Sequence, residues 1–339
     1  MIRYNKLLLF IIIGFAFVFA GCGGGGGGGG SDDSGGGASG LTYSGVTTPA
    51  QIDESNAEEI TGGAFATGLI GDGMVGLSVD RQIKSYHIRN FRSVNLPIIL
   101  SDSLNLVDFT PSFSGGMQTA TQTESDIIKG ECGGTMSYSV SVDDERGTFN
   151  GRFTFSDYCN DGTTINGAAG FNGEMDVDSG SFIEATFSFD NLSGGELILD
   201  GEIQIDFAAT RNVITFNAYG QDPISGAVFW IQDYSITIEE YPVQGPEPAY
   251  VKIKMAGRFY HPDFGYVTLS MPEPPDPLDP FVLREIDVWP ESGTLIVTGA
   301  NGSKAKLIAI DKSTCTVEVD RDGDGNIDWY SDDMSWEDL

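Results

Sequence analysis

Leu197-Ile198-Leu199-Asp200-Gly201-Glu202-Ile203-Gln204-Ile205-Asp206-Phe207 decides how this chain folds. Leu197, Leu199, Ile203, Ile205 and Phe207 share one parity, and Asp200, Glu202, Gln204 and Asp206 share the other. Successive side chains of an extended strand point to opposite faces, so a period of two predicts a strand with one dry and one wet face.

The alternation spreads in both directions. Upstream lie Met136, Tyr138, Val140 and Val142, then Phe149, Phe153 and Phe155, then Ile165, Ala169, Phe171, Met175 and Val177, then Ile183, Ala185, Phe187 and Phe189. Downstream, Trp230, Tyr234, Ile236 and Ile238 read as one buried set. Val251, Ile253, Met255 and Phe259 follow, then Val267, Leu269 and Met271, Leu295 and Val297, and Cys315, Val317 and Val319. Short turn signals, such as Asp143 to Gly147 and Pro262 to Gly265, separate the runs. This pattern predicts a mainly β antiparallel meander over residues 131–339, forming a barrel-like or sandwich sheet. The prolines of Gln244–Pro248 and Pro272–Pro280 mark loops, because proline cannot donate to a central ladder. Charges on the non-core face argue against an outer-membrane barrel, whose outward face is apolar.

Residues 41–130 read as a mixed region with a few short helices. Ser55-Asn56-Ala57-Glu58 has the form of a capping box, and Ala57, Ile60 and Ala64 fall at helical spacing. A helix over 55–67 is predicted, with a second over Leu96–Val107. Arg81, Lys84, Arg89 and Arg92 concentrate four of the 18 basic residues. Charge compensation beside an acidic sheet is the preferred reading of that cluster, ahead of a docking patch for an acidic partner.

The N-terminus predicts an address. Arg3 and Lys6 precede the apolar run Leu7–Ala20. That run is short for a membrane span and fits the core of a signal peptide over residues 1–21. Phe19-Ala20-Gly21-Cys22 resembles the lipobox of bacterial lipoproteins, with Phe19 where leucine is usual. The resemblance implies cleavage before Cys22, a diacylglycerol on its thiol, and palmitate-type acylation of the new amine. Gly23 after the cysteine implies sorting to the outer membrane. Residues 22–40, opening with the unbroken glycines Gly23–Gly30, form a flexible tether, because glycine maximises chain entropy. The expected partner is therefore a membrane, held through a lipid anchor at the cell envelope. Whether the protein faces the periplasm or the surface stays open, as do protein partners.

Composition narrows the function classes. Among 339 residues, 49 Asp and Glu oppose 18 Lys and Arg, for a net charge of −31. A phosphate-backbone binder needs a basic footprint, so nucleic acid is excluded as a partner. Hydrophobic residues make up 40%, enough for a packed core rather than a disordered chain.

Cys132 and Cys159 flank the expected first hairpin, and an oxidising compartment permits a disulfide between them. Cys315, in an alternating run, reads as a buried small hydrophobe, though pairings that involve it stay open.

Asp320-Arg321-Asp322-Gly323-Asp324-Gly325-Asn326-Ile327-Asp328 resembles the calcium loop of EF-hand-like and thrombospondin-type-3-like repeats. Carboxylates at positions 1, 3 and 5 surround a cation, and the glycine at 6 allows the sharp turn. Asp320, Asp322, Asp324, Asn326 and Asp328 are the candidate Ca2+ ligands. Ser331 occupies the twelfth place, where a bidentate Glu is usual, with Asp332 and Asp333 beside it. The competing reading is an acidic exposed turn.

Catalytic signals are sparse. His87 and His261 are the two histidines, and the chain contains no GxSxG, HExxH or P-loop pattern. His261 reads as a turn residue. Trp329 and Trp336 flank the acidic C-terminus; exposed rings there would stack on sugars, although cores use tryptophan more often. The expected function is a non-catalytic envelope lipoprotein, structural or binding an apolar or polysaccharide ligand. The alternative is a polysaccharide-acting enzyme or a carbohydrate-binding module at the cell surface.

Leu41-Thr42-Tyr43-Ser44-Gly45-Val46-Thr47-Thr48-Pro49-Ala50 and Ser55-Asn56-Ala57-Glu58 resemble the opening of uncharacterised Gram-negative lipoproteins with polyglycine tethers. Gly257-Arg258-Phe259-Tyr260-His261-Pro262-Asp263, Gly299-Ala300-Asn301-Gly302-Ser303-Lys304-Ala305 and the Asp-Gly-Asp-Gly loop resemble later parts of that group. The resemblance implies the address and the architecture, and no activity.

Overall fold

The computed structural model describes residues 40–72, 121–143, 145–160, 163–178, 181–194, 197–208, 211–222, 225–242, 249–271, 280–284, 289–336 and 338–339. Cys22, the basic cluster at 81–92, His87, the expected helix over 96–107 and most of both proline-rich breaks lie outside them.

The described chain has one α-helix, α1 (Ala57–Asp72). Strands follow as β1 (Thr121–Lys129), β2 (Gly133–Asp143), β3 (Thr148–Asn160), β4 (Thr163–Met175), β5 (Phe182–Gly194) and β6 (Leu197–Ala208). Then come β7 (Arg211–Gln221), β8 (Val228–Tyr241), β9 (Tyr250–His261), β10 (Gly265–Ser270), β11 (Phe281–Arg284) and β12 (Thr294–Thr298). The last four are β13 (Lys304–Ala309), β14 (Thr314–Asp320), β15 (Trp329–Tyr330) and β16 (Met334–Ser335). They make one antiparallel sheet in which nearly every strand lies beside its sequence neighbours. Two strands leave that order: β11 pairs with the first half of β9, and β16 pairs with β14. The expected mainly β meander is therefore the fold. Among the described residues β1 and β15 do not pair, so the sheet stays open.

The dry parity is buried along most of its length. Met136, Phe153, Phe187, Ile205, Ile214, Ile236, Leu295 and Val317 are all at most 1% exposed. Phe153 and Phe171 stack at 4.6 Å between neighbouring strands, a cross-strand pair that adds to the area they bury.

β1 precedes the point where alternation becomes visible. Its sequence, Thr-Gln-Thr-Glu-Ser-Asp-Ile-Ile-Lys, is mostly polar, and sheet pairing alone makes it a strand. Asp126 stands opposite Tyr138, on the core-facing parity, and an acid there discourages another chain from adding to the edge.

A line of bulges crosses the sheet and resets the parity. In β3, β5 and β8, Asp157, Asn191 and Asp233 adopt left-handed φ of 47°, 50° and 48°. Each faces a glycine on a neighbouring strand, Gly134 of β2, Gly167 of β4 or Gly257 of β9, also at positive φ. Asn166 and Asn217 accept the Asp157 and Asp233 amides at 2.7 and 2.9 Å, so two of the unpaired bulge donors are satisfied. After each bulge the buried series restarts one residue out of step, at Tyr158, Leu192 and Tyr234.

Several parity readings are corrected for this reason. Trp230 lies before the Asp233 bulge and belongs to the outer face, while its neighbour Ile231 is 3% exposed. Ile183 is 43% exposed, because the register shifts between Glu174 and Met175 and brings Phe182 to the core instead, and Val177, 48% exposed, lies in the turn after β4.

The helix begins two residues after the expected start and runs five past the expected end. Ser55 does not cap it: the Ser55 amide and hydroxyl both donate to Asp53. Asn56 accepts the Asp53 amide at 3.1 Å through its side chain, closing the turn ahead of Ala57. Ala57, Ile60 and Ala64 are buried as their spacing predicts. The helix packs on β8, β9 and β12 to β14. A Cβ on Gly63 would meet the Phe259 ring at 2.9 Å, so the glycine sets how closely helix and sheet approach. Tyr234 is fully buried and donates its hydroxyl to the Ala64 carbonyl at 2.8 Å.

Candidate functional site

The chain from Gly40 to Ile52 ties three parts of the molecule together. The Leu41 amide donates to Asp200 on the outer face of β6 at 2.7 Å. Tyr43 lies against Trp230 and Tyr260, with ring centroids 6.0 and 5.9 Å away, and donates to the Val46 and His261 carbonyls, each at 2.8 Å. Thr48 to Ala50 then enter the sheet. The Tyr266 amide donates to Thr48, the Ala50 amide to Tyr266, and the Ala300 amide to Ala50. This short strap thus sits between β10 and the turn after β12, and crosses from the outer face to the inner one. Beyond it Ile52 is buried and donates its amide to the Ser303 hydroxyl at 3.1 Å, just before α1.

Beneath the strap runs an aromatic row. Tyr219, Trp230, Tyr260 and Tyr266 occupy matching register positions on β7 to β10. Trp230 stacks on Tyr260 at 4.1 Å and on Tyr219 at 6.0 Å, and the Arg258 guanidinium lies 5.4 Å over Tyr266. Ring faces in this row are largely spent on one another. Sequence alternation missed the row because the bulge hides it. Burial, with contributions from Tyr260 and Asp263, pushes the Tyr43 phenol up to about 12.

The aspartate loop lies at the far end of the strap. β14 ends at Asp320, which is 4% exposed, and its two oxygens accept the Gly323 and Gly325 amides at 2.8 and 3.0 Å. Such charge-assisted bonds compensate a buried carboxylate. Asp328 accepts the Arg321 amide at 2.8 Å. Asp320, Asp322 and Asp328 each present a carboxylate oxygen within 4.8 Å of the others. The Asp324 carboxylate lies outside that trio: it accepts both the Asn326 amide and its side-chain nitrogen, at 2.8 and 2.9 Å. Those bonds hold the Asp324 carboxyl below the usual carboxylate range. Of the expected ligands, three converge and two pair with each other.

The loop is docked rather than free. Gln51 donates to the Arg321 carbonyl at 3.0 Å and accepts from Asn301 at 3.1 Å, and Arg321 approaches Glu54 at 3.5 Å. Gly323, at φ 75°, lies against Gly302, where a Cβ would come within 2.7 Å of the Gly302 carbonyl oxygen.

The other expected residues fall as follows. Cys132 and Cys159 form a disulfide with Cα atoms 5.1 Å apart. It joins the end of β3 to the turn between β1 and β2, since β1 precedes the hairpin read as the first. Cys315 is a buried free thiol, pushed up to about 12 by burial and by the nearby Glu58. Trp336 is 2% exposed, 5.0 Å from Phe65 and stacked on Trp289 at 5.6 Å, and Trp329 packs against the core. Both tryptophans serve packing, the commoner use of this residue, because the C-terminal segment folds back over α1 and β14. His261 is the last residue of β9, and only 4% exposed. Its Nδ1 accepts the Asp263 amide at 3.2 Å and its Nε2 lies 3.0 Å from Glu59 of α1.

No protein family, curated protein or solved structure matches this chain.

Proposed function

We propose that this protein is a non-catalytic lipoprotein of the outer envelope, anchored through acylated Cys22, with a structural or ligand-binding role. The observation that carries this reading is the strap. The residues that follow the glycine-rich stretch are gripped by β6, by the aromatic row and by the seam beside β10, so load on an N-terminal anchor passes into the sheet. Asp320, Asp322 and Asp328 hold one Ca2+ ion in this reading. Two oxygens on one calcium ion stand at most about twice 2.4 Å apart, and the oxygens of the trio all lie within 4.8 Å of one another. A cation there fastens the loop that docks on Gln51 and Glu54, and so the inner end of the strap.

The test is envelope fractionation of wild type and Cys22→Ser. Wild type should partition with membranes and resist salt extraction, whereas Cys22→Ser should lose that partitioning. Equal membrane retention of both would remove the anchor from the account.

A second reading, polysaccharide binding at the cell surface, draws on the row from Tyr219 to Tyr266. It ranks below the first because stacked rings offer edges rather than open faces to a sugar. Affinity electrophoresis through neutral and acidic glycans, with wild type and Trp230→Ala, separates the two: retardation lost in the variant favours the second reading.

A further inference from the structure

His261 is placed where the helix, the sheet and the strap meet. Its ring stacks on Phe264 at 4.5 Å and meets Phe229 edge-on at 5.4 Å. An Nδ1 that accepts the Asp263 amide has no proton, so the neutral ring carries its hydrogen on Nε2 and donates to Glu59. The His261 carbonyl receives the Tyr43 hydroxyl, and the adjoining Pro262 carbonyl receives the Val46 amide at 3.0 Å. One side chain therefore braces the turn to which the strap is fastened.

We propose that His261 is an acid-sensitive latch: a proton on Nδ1 faces the Asp263 amide, turns that bond into a repulsion, and releases residues 43–46 from the turn between β9 and β10. The charged groups that face the ring are Glu59 from α1 and Asp263 from the turn, while Tyr43 on the strap is a neutral phenol. From β8, the uncharged Phe229 meets the ring. Glu59 stabilises the imidazolium once it forms, so the helix side of the contact survives and the turn side yields. Burial holds the imidazole below its ordinary value of 6.5, against the raising effect of the two acids. A depressed histidine favours the folded, latched form above that range, and the advantage is lost as pH falls below it. Release of the strap uncovers Tyr260 and Trp230 and lengthens the leash between sheet and anchor.

The test is amide hydrogen exchange on the full chain at about pH 7.5 and about pH 5, corrected for intrinsic exchange, in wild type and His261→Asn. Asparagine keeps an acceptor near the Nδ1 position and does not titrate. In wild type, protection at Val46 and Asp263 should fall about tenfold or more at the lower pH, while the Ala50 amide, bonded to Tyr266, and amides of β5 and β6 hold. In His261→Asn the strap amides should stay protected. Nitrogen NMR of wild-type His261 gives a second measurement that needs no variant. It should show an unprotonated Nδ1 near neutral pH, titrating together with the loss of protection. A protonated Nδ1 at neutral pH, strap protection that does not change with pH, or equal loss in His261→Asn would each overturn the latch.

Discussion

Asp233 and Gly257 face each other across the β8–β9 pair as two opposed kinks, with φ of 48° and 125°. Two residues of β8, Asp233 and Tyr234, stand against one of β9, and that extra residue turns Trp230 outward while Tyr234 points inward. A Cβ on Gly257 would clash with the Asp233 carbonyl and the Tyr234 Cα. Gly257→Ala should therefore destabilise the sheet by about 2–4 kcal/mol, through strain at positive φ plus displaced backbone. Urea unfolding reads this as a lower midpoint with little change in slope. A midpoint equal to wild type would mean that β9 tolerates the bulge without a glycine.

Calcium should raise the thermal midpoint of wild type, and a chelator should lower it. At about 100-fold excess over the dissociation constant, binding to the folded form contributes about 2.7 kcal/mol. Asp322→Ala removes one of the three converging carboxylates and should abolish most of the response. Asp324→Asn should keep it, because the Asp324 carboxylate is not among the converging oxygens and accepts from Asn326 instead. Calorimetry showing no binding heat with wild type would leave the loop as an acidic turn held by its own amides.

Alkaline pH should loosen the strap through Tyr43. Its folded value is raised to about 12 from an ordinary 10.0. A raised group binds its proton more tightly when folded, so its contribution is complete below 10.0 and is lost as pH climbs to about 12. Tyr43→Phe should remove that part of the pH dependence while losing the hydrogen bonds to Val46 and His261. Ultraviolet difference absorbance should show one phenol fewer in the late-titrating group of the variant. An unchanged titration would place Tyr43 in solvent.

Much of the meander was legible because alternation is a local signal: Leu199, Ile203 and Ile205 are buried and Glu202, Gln204 and Asp206 exposed, as their parity says. Alternation fails where one inserted residue resets the period, as at Asp233, since the bulge is fixed by its partner strand and not by β8 alone. β1 was illegible for another reason: a mostly polar edge strand carries no dry face to announce it. The aspartate loop was legible as a cluster, but its split into a converging trio and the Asp324–Asn326 pair depends on which amides each carboxylate accepts. The His261 site had no signal at all in the sequence. Glu59 and Tyr43 are brought to it only by the helix and by a strap that crosses the sheet.

The anchor is the claim on which the rest of the functional account hangs. The most direct test is mass spectrometry of the N-terminal peptide of protein taken from its own envelope. The account predicts that the peptide begins at Cys22 and carries a diacylglycerol on the thiol and an acyl chain on the amine. A peptide that begins elsewhere, or a Cys22 with an unmodified thiol, would contradict it.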